Sequence, residues 1–248
     1  MLNDLELEEL EKRYFDYIIT SLRQDLEKVT EGLGSRIKIL NDWRSKFLKT
    51  ATKSHRQPSD LDAGAERIFH HLFAPMFKFP NSCPIGSDLM YQVEEAIIHI
   101  EVKTTLITNP DFVGKVNLGR NQVSYFRKEF KPNLPTLYKS VNAPALTYVI
   151  QIIHKHMQPK IYALNVICIP NGRLFPHYGE SILRAGKGGW AKATDIRYHY
   201  AEEPHFKLLT KRYNKEIFRI ETLLLDSKFR IKQMTGKDLP LVPYKIIK

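Results

Sequence analysis

The nine residues from Ile97 to Thr105, "IIHIEVKTT", place an acid and a base two positions apart in a run that otherwise reads as buried β-strand. Side chains alternate between the two faces of a strand, so Ile98, Ile100 and Val102 share one side while His99, Glu101 and Lys103 share the other. One face is dry and the other ends in charge. A buried charge is costly unless it is paired. A local ion pair at a strand end meets that demand, and so does a site in which further groups join Glu101 and Lys103.

Asp88 is such a group. It stands thirteen residues before Glu101 in "GSDLMYQVEEAIIHIEVKTT", a stretch that reads as two strands joined at Glu94 and Glu95. An antiparallel hairpin returns Asp88 beside Glu101, and three charged groups then converge. Two carboxylates on adjacent strands suit Mg2+, a hard cation that takes oxygen ligands and keeps water to share with a phosphate. A lysine beside that water and the scissile phosphate can orient the one and stabilise charge on the other. That combination hydrolyses phosphodiesters. The bare pattern is common: an acid followed about 9 to 20 residues later by acid-x-Lys arises by chance roughly once in a chain of this length. Acid-x-Lys recurs here as "EFK" at Glu129 to Lys131 and as "DSK" at Asp226 to Lys228. Only "EVK" lies in a β-branched run with an acid on the strand before it.

This arrangement resembles the PD-(D/E)XK nuclease superfamily, and within it the type II restriction endonucleases, over roughly Leu61 to Pro170. The resemblance implies that Asp88 and Glu101 bind Mg2+, that Val102 lends its backbone carbonyl to the metal, and that Lys103 serves the attacking water. A helix before the first catalytic strand often adds an acid, for which Glu66 in "AGAERIF" is the candidate; an exposed helix glutamate fits the same pattern. The proline of the family pattern stands four residues before Asp88, as Pro84 in "PIGSD", rather than against it. The implied fold is an α/β restriction-endonuclease-like core, with a mixed central β-sheet flanked by helices and an added N-terminal helical segment. In-line attack by activated water leaves a 5′-phosphate and a 3′-hydroxyl, and a homodimer would set two sites on the two strands of a palindrome.

Composition agrees with an anionic partner. The 248 residues carry a formal net charge of +11 and a pI of about 9.5, which favours nucleic acid over an acidic membrane surface. The longest uncharged apolar stretch, Val141 to His154, is too short and too polar to span a bilayer, and the acidic Met1 to Arg13 is no signal peptide, so a cytoplasmic location is expected. Cys83 and Cys168 have neither zinc nor disulfide spacing, and His70, His71, His154 and His156 lack a third ligand.

Along the chain, helical spacing from Leu5 to Leu22 and from Ile37 to Leu48 defines an N-terminal helical segment, 1–58, ahead of a catalytic domain, 59–248. The basic stretch "KTATKSHRQPSD" separates that segment from a helix carrying Ala65, Ile68, Phe69, Leu72 and Phe73 and ended by Pro75. "GRNQVSYFRKEF" reads as a helix after the Glu-x-Lys strand, offering Arg120, Gln122 and Tyr125. "APALTYVIQIIHKH" and "IYALNVICIP" read as strands, and Ile217 to Leu225 as a final amphipathic helix. From 184 to 200, Arg184, Lys187, Lys192, Arg197, Trp190, Tyr198 and Tyr200 gather around three glycines. Glycines admit a phosphate backbone closely while Arg and Lys neutralise it, so this segment is the expected DNA-reading loop, with Arg120 and Gln122 as further contacts. A solvated basic loop is the plain alternative. The expected activity is Mg2+-dependent, sequence-specific cleavage of double-stranded DNA. A repair or recombination nuclease and a non-catalytic basic DNA-binding protein are the rivals.

Overall fold

The computed structural model describes residues 2–35, 60–77, 79–81, 86–109, 113–125, 134–155, 160–179, 181–186, 188–227 and 245–247. Its centre is a mixed sheet in the order β1-β2-β3-β6-β7-β10-β11, with β5 attached to β6. The strands are β1 Phe79–Asn81, β2 Leu89–Gln92, β3 Ile97–Leu106, β5 Leu137–Tyr138, β6 Ala143–His154, β7 Ile161–Ile169, β10 Ile220–Asp226 and β11 Lys245–Ile247. β3 runs parallel to β6, whereas the β2–β3, β6–β7 and β7–β10 pairs are antiparallel. β6 and β7 sit in the middle and are buried almost throughout, which is why they read as near-continuous apolar runs.

A parallel pair needs a long crossover. Here the crossover from β3 to β6 carries β4, Val116–Gly119, into a second, three-stranded sheet with β9, Asp195–Tyr198, and β8, Leu183–Ala185, in the order β4-β9-β8. The helix expected over "GRNQVSYFRKEF" is absent from its described part: Gly119 ends β4, Arg120 and Asn121 form a turn, and residues 123–125 are in neither helix nor strand. The expected helix at Ile217 to Leu225 is strand β10. Its sequence "IETLLLD" is buried on both faces between neighbouring strands, and a short apolar run of that kind has no periodicity to separate helix from strand.

Helix α1, Asp4–Gln24, covers one face of the central sheet. Asn3 caps it, accepting from the Glu6 amide at 2.9 Å while the Glu6 side chain accepts from the Asn3 amide at 2.8 Å. A further helical run, residues 26–35, follows it, and α2, Asp60–Phe73, packs over β3. Leu7, Leu10, Phe15, Ile18 and Leu22 of α1 share one apolar core with Ile98, Ile100, Tyr148, Val166 and Ile220 of the sheet. In the midst of this core lies Arg219, fully buried. Its Nη2 donates to Glu8 at 3.0 Å and to Glu11 at 2.7 Å, its Nε to the Tyr178 hydroxyl at 2.8 Å, and its plane lies over the Phe206 ring at 4.1 Å. Backbone amides of Leu209 and Asn171 donate to the remaining oxygens of Glu8 and Glu11. Every charge in the cluster is thus answered, although burial still pushes the Glu11 carboxyl up to about 6.

Removing one member of such a cluster leaves the others charged and dry. Arg219→Met is expected to lower stability by about 3–5 kcal/mol, whereas the triple replacement of Glu8, Glu11 and Arg219 by apolar residues should recover part of that loss. Urea denaturation of the two variants beside the parent measures the difference.

Candidate active site

β2 pairs with β3 only as far as Leu89 opposite Ile100. One step further Asp88 comes level with Glu101, but the chain there has left the ladder, so the edge of β3 from Val102 onward lacks a backbone partner from β2. The Asp88 side chain takes over: its Oδ2 accepts the Val102 amide at 2.7 Å. The N–H and C=O of one strand residue point the same way, so the Val102 carbonyl faces the edge where the Asp88 carboxylate lies. Gly86, with φ of +129°, makes this exit from β2 possible, and a Cβ there would collide with the Asn121 carbonyl oxygen.

Glu101 is 1% exposed and Lys103, two residues on, is 27% exposed. The Lys103 ammonium and the Gln122 amide both donate to Glu101 Oε1. The Gly119 amide donates to the Gln122 Oε1, and since a backbone amide can only donate, it fixes which end of the Gln122 amide faces Glu101. Glu101 Oε2 is buried and has no hydrogen-bond partner. Burial pushes the Glu101 carboxyl up to about 8; Lys103 pulls it down, and Asp88, within hydrogen-bonding reach, pushes it up again. The Glu101 carboxyl and the Asp88 carboxylate thus lie close together, with one Glu101 oxygen buried and unpartnered, and a cation beside them would offset both the burial and the influence of Asp88. The residues present therefore fit a divalent metal ion.

The same face of the sheet continues as a buried polar row. Lys103 is level with Gln151, Gln151 with Asn165, and Asn165 with Thr222 across β3, β6, β7 and β10. Asn165 donates to Gln151 at 3.0 Å, Thr222 donates to Asn165 at 2.9 Å, and Gln151 donates to the Lys115 carbonyl at 3.2 Å. His99 closes the other end, with Nδ1 2.9 Å from Ser87 Oγ and Nε2 2.9 Å from the Tyr138 hydroxyl. Burial lowers its pKa to about 4, which keeps the ring neutral.

Of the residues singled out in the sequence, Asp88, Glu101, Val102 and Lys103 come together. Glu66, half-buried on α2, does not add a third ligand; among the described residues no three His, Cys, Asp or Glu side chains gather to hold a metal. Gln122 belongs to a turn and bonds to Glu101, where a DNA contact on a helix was expected, and Tyr125 lies in the core. Asp226 of "DSK" pairs with Lys160 at the far end of the sheet; Lys228, the "EFK" segment and Cys83 fall outside the described residues, while Cys168 is a free, buried thiol.

The expected DNA-reading loop is largely the small sheet. Arg184 and Arg197 stand directly opposite each other on β8 and β9, with Asn117 next in the row on β4. Like charges so placed repel, and Arg184 is paired with Glu202 at 3.6 Å. Residues on β9 alternate in burial, which puts Arg197 outward and Tyr198 inward; Tyr198 is 0% exposed, and with Tyr200 it is a core residue and not a DNA contact. Lys192 is exposed at the end of the short helix Gly189–Lys192, Arg120 is exposed with its Nε donating to the Ala193 carbonyl at 2.9 Å, and Lys187 lies outside the described residues. The inward role of Gln122 left no local pattern to read, because the crossover is what brings it to Glu101.

A family profile for the N-terminal domain of the type II restriction enzyme MwoI matches residues 3–158, and a profile for its central domain matches residues 161–220. A comparison with curated protein sequences finds no match. Among solved structures, the restriction endonuclease BglI bound to its DNA recognition sequence superposes with a TM-score of 0.60 at 17% identity, covering 87% of this chain and 92% of that one. The tetrameric restriction endonuclease SfiI bound to cognate DNA superposes with a TM-score of 0.56 at 15% identity, covering 90% and 85%.

If Glu101 Oε2 is held open at the expense of the metal-free fold, filling its need should stabilise that fold. Glu101→Gln, whose amide can donate to Asp88 while its oxygen keeps Lys103 and Gln122, is expected to raise stability in EDTA by about 1–2 kcal/mol in urea titration. An unchanged midpoint would mean that Glu101 is already compensated.

Proposed function

The chain belongs to the family of the type II restriction enzyme MwoI, and on that premise we propose that it cleaves double-stranded DNA at a specific sequence by Mg2+-dependent phosphodiester hydrolysis. The observation that carries the proposal is the buried, partnerless Oε2 of Glu101 beside the Asp88 carboxylate, with the Lys103 ammonium against the other oxygen. Family membership favours sequence-specific cleavage over structure-directed repair. Among the described residues no helix is long and apolar enough to cross a membrane.

In this reading Asp88, Glu101 and the Val102 carbonyl would hold Mg2+. When bound, the ion supplies positive charge at the phosphate and lowers the pKa of water in its shell. Asp88 is held for that task by the Val102 amide, and Glu101 by Lys103 and Gln122. The partly exposed Lys103 reaches from Glu101 toward the open edge of β3, where it orients the attacking water and stabilises charge on the phosphate oxygens. Arg184 and Arg197 of the small sheet and Lys192 of the short helix Gly189–Lys192 contact DNA phosphates, as does Arg120. The products carry 5′-phosphate and 3′-hydroxyl ends. Two copies of the chain, one per DNA strand, complete a double-strand cut.

Lys103→Ala is expected to reduce plasmid cleavage in Mg2+ by at least 10²-fold while DNA binding in Ca2+, measured by gel shift, stays near that of the parent. Full cleavage by this variant would remove the lysine from the mechanism. A parent protein that binds DNA yet cuts no sequence tried would favour the non-catalytic alternative. Arg184→Ala and Lys192→Ala should each make the logarithm of affinity fall less steeply with the logarithm of salt, by about one unit of slope per lost phosphate contact. Slopes equal to the parent's would move the DNA-contacting surface elsewhere.

A further inference from the structure

The turn at residues 119–122 lies beside both acids of the site. Its Asn121 carbonyl abuts Gly86, two residues ahead of Asp88, at a distance that admits no side chain. Its Gln122 amide donates to Glu101 Oε1, and Gln122 is itself fixed by the Gly119 amide and by a 3.1 Å bond from its own backbone amide to the Gly119 carbonyl. Outside the site the same turn is tied down by Arg120, whose Nε donates to the Ala193 carbonyl.

Glu101 has two oxygens and very unequal surroundings. Oε1 receives both Lys103 and Gln122, while Oε2 receives nothing. A carboxylate with a single anchored oxygen can rotate about its last bond and present either edge. Two donors on one oxygen oppose that rotation and so fix the free oxygen as well. In the proposed mechanism Lys103 also serves the attacking water, so a second donor keeps Oε1 held while it does so. Gln122 has no second duty.

We propose that Gln122 is a positioning residue for the metal site: by holding Glu101 Oε1 it directs Oε2 toward Asp88 and sets the affinity for the divalent cation. The inference rests on the proposed role of Asp88 and Glu101 as metal ligands and adds to it a side chain from the crossover that never touches the metal. Groups that orient a metal ligand typically change metal affinity about 10–100-fold when removed.

The test uses the full chain and Ca2+ as the probe, titrated calorimetrically without DNA. Gln122→Leu, which keeps the volume and removes both hydrogen bonds, is expected to weaken Ca2+ binding at least 10-fold and to shift the Mg2+ midpoint of plasmid cleavage upward by a similar factor. DNA affinity in EDTA should be unchanged. Gln122→Asn, polar but too short to reach from Gly119 to Glu101, should behave in the same way and serves if the leucine variant does not fold, as judged by its melting curve. Parent-like Ca2+ affinity in a folded variant overturns the positioning role and leaves the metal site itself standing. A parent that binds no Ca2+, and gains none with DNA present, overturns both readings together.

Discussion

A carboxylate taken out of water must be compensated, and in this protein the compensation of Glu101 is deliberately incomplete. It sits 1% exposed at the point where β2 has already turned away from β3, next to a second acid, with one oxygen doubly bonded and the other bare. Burying an ion without full pairing costs several kcal/mol. Much of the surrounding architecture follows from making that cost tolerable. The Val102 amide is given to Asp88 instead of to a strand partner, the crossover brings Gln122 in from above, and a row from Gln151 to Thr222 keeps the rest of that face hydrogen-bonded.

Holding such a site needs a stiff sheet behind it. The opposite face supplies that through α1, whose apolar residues share a core with β6, β7 and β10. Here too a charge is buried, but with the contrary outcome: Arg219 finds Glu8, Glu11 and the Tyr178 hydroxyl and lies over the Tyr178 and Phe206 rings, and no oxygen of the two glutamates is left bare. One face carries a closed ion cluster that fastens a helix, and the other an open one with room for a ligand. The difference between structural and functional burial is visible in whether the polar atoms are used up.

The hairpin of β2 and β3 and the strands β6 and β7 were legible because β-branched residues, alternation and the Glu94–Glu95 break coincide there, and the register that brings Asp88 level with Glu101 follows from that hairpin alone. β10 was not, since a run buried on both faces carries no period, and neither was the crossover, where Gln122 lies in a turn and Tyr125 in irregular chain although both are helix-compatible residues. Glu11 offered a signal that went unused: it falls at the position between Leu7 and Tyr14 where the apolar stripe of α1 continues, so a charge there must be met inside the core. In the basic segment the residues were found but not their directions. Arg197 and Tyr198 are neighbours on β9, and only the pairing with β4 and β8 decides that the arginine faces out and the tyrosine in.

On the proposed function, the gap between Asp88 and Glu101 is a divalent metal site. Crystals grown in Mn2+, with anomalous diffraction recorded at the manganese edge, address it without reference to any DNA sequence. A single strong peak is expected within coordination distance of Glu101 Oε2, an Asp88 oxygen and the Val102 carbonyl, at roughly 2.0–2.3 Å as for other hard divalent cations. A well-ordered site with no peak there, or a peak held instead by groups elsewhere on the chain, would contradict it.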